Sequence, residues 1–474
     1  MLWLPLLIIL KSQQLKNKIT YSLITCLFGM LVFSCNVHEK FTQPEIEIQE
    51  TYTGQVADSS SFSDVDWWQI FNDSMLISLI REGLENNLQV QNMATSIKQS
   101  ELQYEIAKTM LIPAVNYGGS ASTSANSLSS GTFKGNVAAL ANVSYTLDFW
   151  GQLTNQRDAA LEAYLAIEIG YHQVKATLVT QIASLYFTLR DIDNKIIVAE
   201  NMIVNMNDFH DIIGARYRGG FVSKVDVNQS EIAVKDAEVT LESLLRARGQ
   251  LENAISIVLG SAPKSIPRGL PLEQQIITSE MPLGVPVYLL QRRPDILINE
   301  KKLKAQLRVI DATQALRYPN LTLSLDVGAQ ITDPSMVFTE LAADLLGPIF
   351  NAGRINKSIS LQQEEYNILV NNYIQSYYLA LQEVQDAVIA IDSYQKEFEI
   401  KKQKLVLSQE ALDLAWVRYE EGVTTFLEFI NLQNSLFSAQ LQASDSYMNY
   451  LQSVVKLYLA LGGGWEYEAY VDAD

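Results

Sequence analysis

Cysteine is almost absent from this chain. Only Cys26 and Cys35 occur in 474 residues, so a chain cut after residue 34 keeps one thiol and no internal disulfide. Histidine is nearly as scarce. His38, His172 and His210 are widely separated, which argues against a dedicated transition-metal site. Positive charge is also short, with 35 Lys and Arg against 53 Asp and Glu. Residues 1–34 hold Lys11, Lys16 and Lys18 and no acid, so the remainder carries −21. Such a body is a poor partner for nucleic acid, whose binding runs on cationic contacts to phosphate. An acidic surface lining a passage favours cations instead. After the N-terminus no stretch holds 18 consecutive apolar residues, so no further transmembrane helix is expected. Phosphate-binding glycine loops, metal-ligand clusters and nucleophile–base pairs are missing too. The expectation is a protein without catalysis or cofactor.

What is present begins with a targeting segment. Lys16 and Lys18 precede an apolar run from Ile19 to Phe33, then Ser34 and Cys35. A basic region, a short apolar core and a small residue make a signal peptide. Leu31-Val32-Phe33-Ser34-Cys35 is similar to a bacterial lipoprotein signal, which makes Cys35 the lipid anchor; the other reading is an ordinary signal with an incidental cysteine. Residues 35–73 read as an extended leader entering the folded body.

The body then repeats itself. Arg216-Tyr217-Arg218-Gly219-Gly220 is echoed by Arg418-Tyr419-Glu420-Glu421-Gly422, and Phe149-Trp150-Gly151 by Asn351-Ala352-Gly353. The landmarks keep their order over a spacing of about 200 residues, far beyond a solenoid unit. The first repeat spans 74–270 and the second 287–465, joined by a linker at 271–286 and followed by a tail at 466–474. Within the first, a helix is expected over 74–112, ending before Pro113.

Period-two segments follow. Val137, Ala139, Ala141, Val143, Tyr145, Leu147 and Phe149 alternate with a more polar set that includes Asn142, Ser144, Thr146 and Asp148. Strands are expected at 113–125, 136–149, 319–331 and 338–350. Their length suits a tilted strand crossing a bilayer, although an ordinary hairpin on a soluble core gives the same alternation. In lipid an open sheet edge is forbidden, so four strands must be pooled among several chains; three chains give twelve.

Each strand pair is followed by a very long helical pattern. Leu178, Ile182, Leu185, Leu189, Ile192, Ile196, Ala199 and Ile203 alternate spacings of four and three, and Val370, Ile374, Tyr377, Leu381, Val384, Val388 and Ile391 do the same. That is a coiled-coil seam. A helix from 153 to 215 is about 95 Å long at 1.5 Å per residue, more than a compact core uses. Each rod ends in a tip, at 216–226 and 418–428. Gly220 and Gly422 suit left-handed caps beside Gly219 and Glu421. Ser223 and Thr425 can cap the return helices, with Asp226 and Glu428 three residues on.

Several runs now point to one family. They are Trp67-Trp68-Gln69-Ile70-Phe71, Tyr145-Thr146-Leu147-Asp148-Phe149-Trp150-Gly151, Leu289-Leu290-Gln291-Arg292-Arg293-Pro294-Asp295-Ile296 and Pro348-Ile349-Phe350-Asn351-Ala352-Gly353-Arg354, with the 418–440 tip. The chain resembles the TolC-like outer-membrane efflux proteins, in their lipoprotein (OprM-like or NodT-like) branch, over residues 65–465. The resemblance implies a mixed α and β fold and a homotrimer with a 12-stranded barrel in the outer-membrane lipid and a periplasmic tube of antiparallel coiled coils. It also implies passive export of drugs or other small solutes, served by a periplasmic adaptor and an inner-membrane pump. Tyr419, Glu428 and Asn431 occupy the positions of the family's gate. The adaptor would meet the tips at Gly219, Gly220, Ser223, Asp226, Gly422, Thr424 and Thr425. Asn431 stands where relatives often carry a second acid, and Thr424 where some carry Arg. Glu428 has two readings that can both hold, a gate acid or the capping partner of Thr425. Phe149, Trp150 and Phe350 fall where barrel becomes tube, as interface aromatics or as core. Arg293 and its neighbours read as structural, with Pro294 and Asp295 in the first turn of a helix. A protein-secretion duct and a non-conducting envelope scaffold are the alternatives; lipid-length greasy strands weigh against the scaffold.

Overall fold

The computed structural model describes residues 41–46, 62, 65–125, 133–275, 281, 292–331 and 336–463. Cys35, most of the leader and linker, and the tail lie outside them. Helix α1 (Trp67–Ile70) precedes the first repeat, which opens with α2 (Ser74–Asn86) and α3 (Leu88–Thr109). Strands β1 (Ala114–Ala125) and β2 (Phe133–Leu147) follow, then α4 (Gln152–Arg218) and α5 (Lys224–Val258). The second repeat gives α6 (Pro294–Ala315), β3 (Asn320–Ile331), β4 (Met336–Leu346), α7 (Arg354–Glu420) and α8 (Phe426–Ala460). The duplication is close in length. Helices α4 and α7 each have 67 residues, and α5 and α8 each have 35.

The chain forms two compact units, and each draws on both repeats. The first unit holds the sheet with residues 99–164 and 301–370. Its four strands run antiparallel in the order β1-β2-β3-β4, so the central pairing, β2 with β3, joins the repeats. Register puts Asn116, Asn142, Asp326 and Glu340 in one row across the sheet. Asn142 donates to Asp326 at 2.7 Å, and the Thr146 and Thr322 hydroxyls meet at 3.3 Å on the same face. The other face is apolar yet uncovered: Tyr117 is 95% exposed, Val337 80% and Leu341 79%. Flanking the sheet, Lys301 pairs with Glu162 at 3.3 Å and Gln306 donates to Gln362 Oε1 at 2.8 Å.

Two strand boundaries differ from expectation. β2 begins at Phe133 and stops at Leu147, because Asp148 turns away to accept the backbone N–H groups of Leu153 (3.0 Å) and Thr154 (2.7 Å) at the start of α4. β4 covers Met336–Leu346, which leaves Phe350 beyond it.

The second unit is helical. The expected single helix over 74–112 is instead two. Asn87 interrupts it, its Oδ1 accepting from Gln89 (2.8 Å) and Val90 (3.2 Å) while its amide donates to Val258 at 2.7 Å. Only Asn87 leaves the helical conformation, with ψ at 126°, and its side chain caps the helix that follows. The seam residues are buried or half-buried throughout, with Ile182, Leu189, Ala199, Tyr377 and Val384 fully so. Burying each large apolar side chain contributes about 1.5–3 kcal/mol.

Two polar knots tie this unit together. Asp73 Oδ2 accepts from Tyr186 (2.9 Å), Leu270 N (2.9 Å) and Gln275 (2.7 Å), and Oδ1 accepts from Met75 N (2.8 Å). Lys195 of α4 pairs with Asp191 at 2.7 Å and with Asp445 of α8, while Ser444 donates to Asp191 at 2.6 Å. Arg293 is buried between Asp295 (2.7 Å) and Glu383 (2.6 Å) and donates to Ala460 O, as a structural residue should. Among the described residues no helix is long and apolar enough to cross a membrane.

Candidate gate at the paired helix tips

Both rods end in the same backbone device. After α4, the Phe221 N–H reaches Arg216 O (2.9 Å) and the Gly220 N–H reaches Tyr217 O (2.9 Å). After α7, Val423 reaches Arg418 O (2.9 Å) and Gly422 reaches Tyr419 O (3.1 Å). These are Schellman caps, whose left-handed position falls on Gly220 (φ 79°) and Gly422 (φ 70°). The sequence placed both glycines correctly.

The return helices begin differently. At α5, Asp226 N–H donates to Ser223 Oγ (3.3 Å) and Ser223 N–H donates to Asp226 Oδ2 (2.8 Å), a full capping box. At α8 the expected box is absent, since the Thr425 side chain makes no capping bond. The reason is competition. Glu428 accepts the Thr424 hydroxyl and pairs with Arg418 Nη1 at 3.3 Å, so it faces the end of α7 rather than the start of its own helix. Of its two readings, the capping partnership with Thr425 falls away. Its side chain is 42% exposed and Arg418 55%, so the pair stabilises by about 1 kcal/mol at most. Asn431 is exposed one turn further on, and its carbonyl accepts from Ser435.

Tyr419 lies elsewhere from these two polar groups. It is buried in a core shared by both tips, with Met202, Met206 and Ile213 from the first repeat and Phe426, Phe429 and Ile430 from the second. Phe209 of α4 meets Phe429 at 4.4 Å and Trp416 at 4.8 Å, and Tyr419 meets Phe426 at 5.6 Å. Each such pair adds about 0.5–1.5 kcal/mol beyond burial. The Arg216 guanidinium lies 4.7 Å above the Tyr419 ring, linking the tips across the repeat. The Tyr419 hydroxyl is buried and makes no hydrogen bond of good geometry among the described residues, the Arg216 side chain being the polar group that bears on it. Burial raises its pKa, and Arg216 opposes the rise. The three gate positions implied by the resemblance are therefore two exposed polar residues and one buried ring. Phe209, Trp416, Phe426, Phe429, Arg216 and Arg418 were not singled out for the gate; the Phe426/Phe429 spacing of three was the available signal.

The tips also expose apolar surface: Phe221 is 83% exposed and Val423 67%. Of the junction aromatics, Trp150 donates to Pro319 O at 2.9 Å and stacks on Tyr318 at 4.6 Å, so it packs as core. Phe149 is more than a third exposed and Phe350 almost fully.

Known proteins match this architecture. The probable efflux pump outer membrane protein TtgC of Pseudomonas putida is 28% identical over 456 residues, covering 92% of this chain and 94% of its own. Outer membrane protein OprJ of Pseudomonas aeruginosa is 27% identical over 95% of this chain and 97% of its own. The open-state structure of the MtrE outer membrane channel of Neisseria gonorrhoeae superposes with a TM-score of 0.83 at 25% identity, over 91% of this chain and 98% of that one. The family described as outer membrane efflux protein matches residues 79–261 and 285–463, one block in each repeat. On that match over most of its length, the chain belongs to the outer membrane efflux protein family.

Proposed function

We propose that this outer-membrane efflux protein is a passive, trimeric export channel whose conduction is limited at the paired tips. The carrying observation is the sheet: among the described residues, four strands with one apolar face uncovered, and β1 and β4 each with a single strand neighbour. Lipid tolerates no open edge, and four strands are too few to close a barrel. Three chains meet both conditions. Polar rows such as Asn142 and Asp326 then face the passage.

In this reading the protein does no covalent chemistry. A pump in the inner membrane supplies the gradient, and a periplasmic adaptor docks on the tips, where Phe221 and Val423 offer apolar contact. Glu428 and the net acidity bias the passage toward cations. Cys35 carries the lipid that adds outer-membrane attachment. Drugs and other small solutes are the expected cargo.

The test is conductance of the purified trimer in planar bilayers. Discrete cation-preferring steps, with the preference reduced by Glu428→Ala, are expected. Silence from the unaltered protein and from a variant with a loosened tip, Tyr419→Ala, both shown to be trimeric and inserted, would remove the channel reading and favour a scaffold.

A further inference from the structure

Between α4, α7 and α8, bordering the tip core, lies a cavity of about 520 Å³. Its walls include Met202 and Phe209 of α4, Asp413 and Trp416 of α7, and Phe429 and Gln433 of α8. The volume falls within the roughly 300–1,000 Å³ of pockets that take drug-sized molecules.

Three features define its chemistry. Aromatic walls come from both repeats, with Phe209 and Trp416 at 4.8 Å and Trp416 and Phe429 at 5.3 Å. Asp413 is the only charged residue in the lining, and its one hydrogen bond comes from Gln409, at 2.9 Å to Oδ1. Gln433 is 5% exposed, and its amide nitrogen reaches only the sulfur of Met202, at 3.2 Å. A thioether is a weak acceptor, so this buried donor is poorly matched. Burying a donor without a good partner is costly, and a ligand acceptor relieves that cost.

We propose that this cavity is a binding site for a small planar aromatic cation. The ring system lies against Trp416 and Phe209, the positive charge faces Asp413, and a polar edge accepts from Gln433. Aromatic faces attract cations in their own right, which adds to the carboxylate. An anion of the same size is disfavoured by Asp413 with no cation in the lining to offset it.

The test uses full-length protein in detergent with ethidium as the cationic probe and anilinonaphthalene sulfonate as the anionic one. Ethidium should bind saturably at one site per chain and slow amide exchange across residues 409–417. Asp413→Asn removes the charge at an exposed position and should weaken ethidium about five- to tenfold. Asn205→Trp, also at an exposed lining position, fills the space and should abolish that site. The anionic probe should neither bind there nor compete. Ethidium binding unchanged in both variants would overturn the proposal, since the dye is then held elsewhere on the acidic surface. Equal affinity for the two probes would overturn it as well.

Discussion

Tyr419→Phe separates a packed tip from a hydrogen-bonded latch. Were the tip latched through the Tyr419 hydroxyl, losing that hydroxyl would loosen it. Here the buried hydroxyl has only the Arg216 side chain bearing on it and makes no hydrogen bond of good geometry, and the ring is held by Phe426, Trp416 and the Arg216 guanidinium. Leaving a hydroxyl unsatisfied costs about 1–3 kcal/mol, so Tyr419→Phe removes that cost and keeps the ring. Taking the low end, local stability rises by about 1 kcal/mol, or roughly fivefold in the opening equilibrium. Tyr419→Ala instead loses a buried aromatic, about 3–5 kcal/mol. Native-state amide exchange over residues 414–422 reads both changes directly. Protection should rise about fivefold in the Phe variant and collapse in the Ala variant. If Tyr419→Phe loosens the tip as Tyr419→Ala does, the hydroxyl carries the contact and the packing argument is refuted.

Three further outcomes follow from the geometry. Ser223→Ala should destabilise the first turn of α5 by about 1 kcal/mol, whereas Thr425→Ala should change α8 by only a few tenths, as read by exchange of the two first turns. Gly260→Ala should severely impair folding, because φ is 75° and a Cβ would stand 2.1 Å from the Asn86 carbonyl oxygen; trimer yield measures it. Burial of Asp73 works against its charged form. Hydrogen bonds from Gln275, Tyr186, Met75 and Leu270 outweigh that and hold its pKa below the ordinary 3.8. A lowered carboxylate pKa stabilises the fold above the unfolded value, and the contribution is lost as pH falls through the folded one. Exchange protection across 268–275 should therefore hold above pH 4 and fall below it, and Asp73→Ala should lose it at every pH.

The sequence carried the periodic features well because they are local. Alternation from Val137 to Leu147 and the four-three spacing from Leu178 to Ile203 each reflect one face of one element; the strand forms in register with both neighbours, and the helix seam is buried or half-buried. Gly220 and Gly422 were legible because the left-handed cap position favours glycine whatever surrounds it. What stayed hidden depended on partners outside the element itself. Helical periodicity runs straight through Asn87, and only Val258, 171 residues away, diverts its amide. Thr425 and Glu428 have capping-box spacing, yet Arg418 and Thr424 capture the carboxylate. The tip core joins Phe209 to Phe429 across the duplication, and periodicity within one repeat says nothing about that pairing. Asp148 reads as part of an alternating strand until its two capping bonds to α4 are seen.

The central claim is that conduction is limited by tips held closed to one another through a cross-repeat aromatic core. Phe429 is that core's fully buried member, in contact with Phe209, Trp416 and Phe426. The decisive measurement is single-channel conductance of Phe429→Ala beside the unaltered protein, with trimer content matched. Larger or longer openings in the variant are predicted. Identical conductance and open time would contradict the claim and place the constriction somewhere other than the tips.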